Sequence, residues 1–149
     1  MEAIANLNLD NVKLIVFGNC SDTILNKIET LAKHRSVRYV GWISSDVAYD
    51  YFLASDLVVF PGLHSVMWEQ ACAAKKPCVF HKLEGFDHFD VGGNCIFVDD
   101  VSSAGLENAI RQLIFTEKYF VMKRVSESEA TDVFLYSNIA QKALEANNS

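Results

Sequence analysis

No run of about 18 apolar residues occurs anywhere in the sequence, so no segment reads as a transmembrane helix. Met1–Asp10 carries neither a cationic stretch nor an apolar one and does not read as a secretory signal. The four cysteines, Cys20, Cys72, Cys78 and Cys95, form no C-x-x-C pair, and Cys72 and Cys78 sit among apolar residues as buried thiols do. The expectation is a reducing, cytoplasmic setting without a disulfide framework. Positive charge is also scarce. Thirteen Lys and Arg face nineteen Asp and Glu, for a net charge of −6. A duplex DNA or RNA binder needs a basic face to neutralise phosphates, so no nucleic-acid partner is expected. A nucleotide site stays open, because backbone N–H groups can hold phosphate without many lysines. There is no internal repeat, low-complexity tract or interior linker.

What is present is enough apolar material for one folded domain. Half of the 149 residues are hydrophobic and 21% are charged. Short β-rich runs alternate with amphipathic ones. Val12–Phe17 (VKLIVF) lacks polar alternation and suits a strand buried on both faces, ending at Gly18 and Asn19. Ser21 or Asp22 then caps a helix to about Lys33, with Ile24, Leu25, Ile28, Leu31 and Ala32 at helical spacing. Further strands are expected at 37–42, 57–60, 77–80 and 95–98. Helices are expected after Ser44 or Ser45, over about Ser65–Lys75, from Ser102 or Ser103 to Phe115, and near 117–126 and 137–146. The tail 147–149 should fray. Alternation of this kind predicts an α/β, Rossmann-like three-layer domain: a mostly parallel sheet with helices on both faces. Ligands of such sheets bind beyond the carboxyl ends of the strands. Those loops are Gly18–Cys20, Gly41–Ser44, Pro61–Ser65 and His81–Asn94.

Asp56–Val79 reads DLVVFPGLHSVMWEQACAAKKPCV. It resembles the donor-site segment of GT-B glycosyltransferases of the group 1, family 4-like kind, where a strand ending in proline precedes a helix with an E-A-x-A-x-G-x-P-V pattern. Gln70 to Val79 falls on that pattern without a gap. VKLIVFG, VRYVGW with Tyr49, Ala54 and Asp56, Gly92–Val98, and Phe134, Ser137, Ile139 and Ala140 resemble other family stretches in order, so the likeness covers about residues 12–145. Three departures stand out. The family's paired glutamates are not both present: Glu69 and Gln70 compete for the second position, and His64 is the polar residue nearest the first. Lys75 replaces the family glycine. The family also carries an earlier strand and loop whose Arg and Lys neutralise the diphosphate, whereas this sequence has no Arg before Arg35. The resemblance therefore implies half of a GT-B fold. In that reading residues 1–8 end a preceding helix, and the first strand and the acceptor-binding domain lie elsewhere, in cis or in trans.

A nucleotide-diphosphate sugar is the substrate this resemblance implies, with no metal or other cofactor. Its phosphates need fixed donors, which a helix N-terminus supplies. Pro61–Ser65 leads into one, with Gly62 allowing close backbone approach and His64 and Ser65 as donor contacts; an ordinary cap with His64 exposed is the plainer reading. Ribose hydroxyls want a side-chain acceptor, Glu69 or Gln70. Gly18 lies in the first carboxyl-end loop. Trp42 and Ile43 are candidates beside the base, although an aromatic after a strand is more often core. In the 82–94 loop, Glu84, Gly85, His88 and Asp90 would lie by the donor sugar, or only stabilise the loop. No residue reads as a nucleophile or general base.

The function expected is donor binding for sugar transfer to a glycan or lipid-linked acceptor, in polysaccharide or capsule assembly. On its own the domain would be inactive, and any peripheral membrane association would come through the absent domain. The alternatives are a non-catalytic subunit of a split transferase and a sugar-nucleotide epimerase-like domain. A receiver-like signalling domain fits the fold class, but no acidic cluster ends the VKLIVF strand.

Overall fold

Each apolar run becomes a short strand paired in parallel with another. A computed structural model describes residues 1–146 of the chain, so the expected frayed tail, 147–149, lies outside the described residues. The helix α1 (Glu2–Leu7) leads into β1 (Leu14–Val16), α2 (Asp22–Leu31) and β2 (Val37–Tyr39). Then follow α3 (Ser45–Ala54), β3 (Val58–Phe60), α4 (Met67–Ala73) and β4 (Cys78–His81). A 3-10 turn (Asp87–Phe89) precedes β5 (Cys95–Val98), and α5 (Ser103–Ile114) and α6 (Lys118–Ser126) come next. A second 3-10 segment (Glu129–Phe134) delivers the chain to α7 (Tyr136–Ala146). Neither 3-10 segment is visible in the periodicity: the first is a single turn closed by backbone bonds, Phe89 N–H to Phe86 O (3.3 Å) and Asp90 N–H to Asp87 O (3.0 Å), and the second is capped by a side chain. Ser128 Oγ accepts from Ala130 N–H at 3.2 Å.

All recorded strand pairings are parallel: Leu14 opposite Val37, Val58 opposite Cys78, and Cys78 opposite Cys95. They fall into two hydrogen-bonded groups, β1–β2 and β3–β4–β5. Side-chain alternation along the second group makes two cores. Phe60, Cys78, Phe80, Cys95 and Phe97 pack with Phe52 of α3 and with Trp68, Ala71 and Cys72 of α4. On the opposite face Val59, Val79, Ile96 and Val98 pack with Leu113 of α5 and Met122 of α6. Helices thus cover both faces, and the expected Rossmann-like layering is present. Trp68, Phe80 and Phe89 are each fully buried, and burying a side chain of that size stabilises by about 2–3 kcal/mol.

The first group is less enclosed. Ile15 in β1 is 43% exposed, and no residue of α2 is fully buried, Leu25, Ile28 and Leu31 being half-buried. The expectation that Val12–Phe17 is buried on both faces therefore does not hold within the described residues, because only β2 lies beside β1.

Candidate functional site

The carboxyl end of β3 opens into the loop Pro61–Val66, which turns back into α4. The helix begins at Met67, two residues later than expected, and Ser65 makes no capping bond with its side chain; Val66, in a helical conformation, occupies the cap position. Over two turns α4 carries Trp68, Glu69 and Gln70 in succession, and each holds a buried polar atom with no protein partner: Trp68 Nε1, Glu69 Oε2 and Gln70 Oε1. Such an atom costs about 1–3 kcal/mol when left unmade. The three fall in consecutive residues of one helix.

The neighbours of these residues separate them. Glu69 Oε1 lies 3.2 Å from His64 Nε2, and both side chains are about three-quarters buried. The His64 ring sits among aromatics. It is tilted against Phe86 at 4.5 Å, edge-on to Trp68 at 5.4 Å and 5.6 Å from Phe89. His64 is therefore a packed, oriented imidazole and not the exposed loop residue of the plainer reading. Gln70, about 100° further round the helix, donates from Nε2 to Tyr136 Oη at 3.1 Å. It lines a cleft of about 480 Å³, together with Asp46, Tyr49, Asp50 and Tyr136.

The 82–94 loop is held over the His64–Glu69 pair. Phe89 and Phe86 contribute their rings, and the buried Asn94 pins the backbone: its Oδ1 accepts from Val91 N–H (2.8 Å) and its Nδ2 donates to Phe89 O (3.0 Å). Asp90 is engaged within the loop, accepting from the N–H groups of Gly92 (3.1 Å) and Gly93 (2.5 Å). His88 is exposed, with Nδ1 3.3 Å from Gly85 O, while Glu84 and Gly85 lie at the loop surface. Gly18 also turns its backbone inward. Its N–H donates to Gly41 O and its carbonyl accepts from Tyr39 Oη, both at 2.8 Å. Trp42 is 68% exposed, so it is not core; Ile43 beside it is half-buried, and Gly62 is exposed. The structure thus brings His64 and Glu69 together. It places Gln70 in a neighbouring cleft, and it gives Asp90 and Gly18 structural partners. Trp68, Phe86, Phe89, Asn94 and Tyr136 were not foreseen as site residues. Of these only Asn94 had a signal in the sequence, the Gly92-Gly93-Asn94 run.

The family model described as "Glycosyl transferases group 1" matches residues 1–115. The chain belongs to the group 1 glycosyl transferases. Solved structures agree on the fold. A sucrose-phosphate synthase from Thermosynechococcus elongatus superposes with TM-score 0.72 at 17% identity, covering 98% of this chain and 40% of that one. A glycosyltransferase from Rickettsia africae ESF-5 gives 0.73 at 15%, with 97% and 41% covered. TarM gives 0.68 at 19%, with 99% and 31% covered. No curated protein matches by sequence. The chain therefore spans about two-fifths or less of the length of these solved proteins and matches one Rossmann-like half of the GT-B architecture.

One departure from the family pattern is resolved by the structure. Lys75, at the family's glycine position, has φ 62°, the left-handed backbone that glycine adopts freely. Its ammonium instead bonds Ser128 O at 2.8 Å and the Asp132 carboxylate. The site shows no group of three or more potential metal-binding side chains among the described residues.

Proposed function

We propose that this group 1 glycosyl transferase chain binds a nucleotide-diphosphate sugar at the carboxyl end of β3, with Glu69 as the acceptor for donor hydroxyls and His64 as its orienting partner. The observation that carries this reading is the run of orphaned buried atoms on α4, in the position the family's donor pattern occupies. A carboxylate oxygen without a donor is complementary to a sugar or ribose hydroxyl, and a hydroxyl supplied there removes the cost of leaving it unmade. Glu69 is favoured over Gln70 on electrostatic grounds. The Gln70 cleft also carries Asp46 and Asp50, and two carboxylates repel a diphosphate. Trp42, exposed at the end of β2, offers a face for the base.

In this reading the chain holds the donor, and transfer to an acceptor needs a second domain. The setting in polysaccharide or glycoconjugate assembly rests on the family resemblance, and a cytoplasmic location rests on the cysteine pattern. Calorimetric titration with UDP, GDP and ADP tests the site. One nucleotide should bind. Glu69→Ala should weaken it about 10- to 100-fold, as loss of a buried charged acceptor implies, and Gln70→Ala should change it less than about threefold. A loss confined to Gln70→Ala would move the ribose to the acidic cleft. No binding to any nucleotide would overturn the reading.

A further inference from the structure

Met122 and Ser126 fix the face that α6 turns to solvent. Met122 packs with Val79 and Leu113, and Ser126 Oγ donates to Asn94 O at 3.4 Å. Both residues are buried. At about 100° per residue, the side chains on the opposite face are Glu117, Phe120, Val121 and Arg124, and all four are exposed. Glu117 keeps the helical register although it occupies the cap position. Its φ is −67° and its ψ −7°, and its carbonyl accepts from Val121 N–H at 3.1 Å. Phe120 and Val121 are each more than half exposed. Ile114 and Phe115, at the end of α5, are exposed as well.

Glu117 and Arg124 make no ion pair among the described residues. Seven residues of helix hold them about 10 Å apart along the axis, too far to meet each other. Lys118 and Lys123 lie on the two flanks of the stripe, and Lys123 is committed to Glu127 at 3.8 Å. The stripe therefore runs acid, apolar, apolar, base. Laid antiparallel on a second copy about a twofold axis between Phe120 and Val121, it sets each Glu117 beside the other copy's Arg124. The same axis gathers Phe120 and Val121 of both copies into one cluster. An isologous contact requires this self-complementarity. Anionic lipid suits an apolar stripe bordered by cations, whereas here a carboxylate sits within the stripe.

We propose that the outer face of α6 is a self-association surface, on which a second copy of this chain packs antiparallel, two Glu117–Arg124 pairs enclosing the Phe120 and Val121 cluster. One helix face falls short of the ~800 Å² per partner of a standard interface, so the dimer forms on the order of 10–100 µM rather than at nanomolar concentration. α6 and α4 cover opposite faces of the β3–β4–β5 group, so pairing leaves the His64–Glu69 site uncovered. Self-association through α6 does not depend on the donor reading.

Sedimentation equilibrium of the full chain from about 5 to about 500 µM tests it. The apparent mass should rise from that of one chain toward that of two. Glu117→Arg and Arg124→Glu each set like charges together at both ends of the contact, and each should weaken the dimer at least about 10-fold. The double variant exchanges the pair and should return to within about threefold of the parent. An equimolar mixture of the two single variants also satisfies both pairs and should associate more tightly than either alone, a gain that a misfolded variant would not give. A dimer indifferent to the single reversals, or a double variant and a mixture that both stay monomeric, would overturn the proposal. So would a chain monomeric up to about 500 µM, and cosedimentation of that monomer with phosphatidylserine vesicles would assign the stripe to a membrane instead.

Discussion

Replacing Lys75 separates two opposing terms that its position combines. A β-carbon at φ 62° costs about 1 kcal/mol relative to glycine. Against this, the ammonium binds Ser128 O and the Asp132 carboxylate, tying α4 to the 3-10 segment before α7. A hydrogen bond to a charged group contributes about 1.5–3 kcal/mol when well shielded. The two side chains are 33% and 36% exposed, so solvent screening brings the pair to roughly 1–2 kcal/mol. Lys75→Ala loses the pair and keeps the strain, and should cost about 1–2 kcal/mol. Lys75→Gly loses the pair and relieves the strain, and should fall within about 1 kcal/mol of the parent. Urea denaturation of the three proteins reads the difference. In a chain of this size 1 kcal/mol moves Tm by about 3–4 °C. Equal stability of the alanine and glycine variants would refute the strain term, and a glycine variant more stable by over 1 kcal/mol would refute the latch.

Asn94→Ala removes bonds to Val91 N–H and Phe89 O inside a fully buried site. It should destabilise by about 2–4 kcal/mol and expose the 86–93 loop to limited proteolysis, while a resistant loop would show that the aromatic packing alone holds it. Burial pushes the Cys78 and Cys95 thiols above their ordinary range, and Cys72 is also fully buried. With the thiolate form suppressed or inaccessible, native protein at pH 8 should take up one equivalent of iodoacetamide, at half-buried Cys20, and four after denaturation. Mass spectrometry of the labelled peptides checks the assignment.

Much of the fold was legible because its local signals agree. Asp56–Val79 carries strand, turn, helix and strand in a spacing that only the Lys75 position strains, and Cys95–Val98 forms the strand expected of it. The errors arise where tertiary surroundings decide. VKLIVF reads as a doubly buried strand, but burial depends on neighbours, and β1 has one. Trp42 follows a strand as core aromatics do, yet no element covers it. At the site, Glu69 and Gln70 are adjacent in sequence, and no spacing rule could show that they face different neighbours. That distinction comes from His64 on one side and Tyr136 on the other. The packing of His64 was equally hidden, since Phe86 and Phe89 reach it only through the fold of a distant loop.

Donor binding at Glu69 can be read most directly from the two indole N–H resonances, those of Trp42 and Trp68. Trp68 Nε1 is buried without a partner, and the His64 ring lies edge-on to its indole at 5.4 Å. In a nitrogen–proton correlation spectrum recorded while UDP, GDP or ADP is added to millimolar concentration, the Trp68 indole signal should shift in a saturable way with one nucleotide. In the Glu69→Ala variant the same titration should require at least 10-fold more nucleotide. An indole signal of Trp68 unmoved by all three nucleotides would contradict the account.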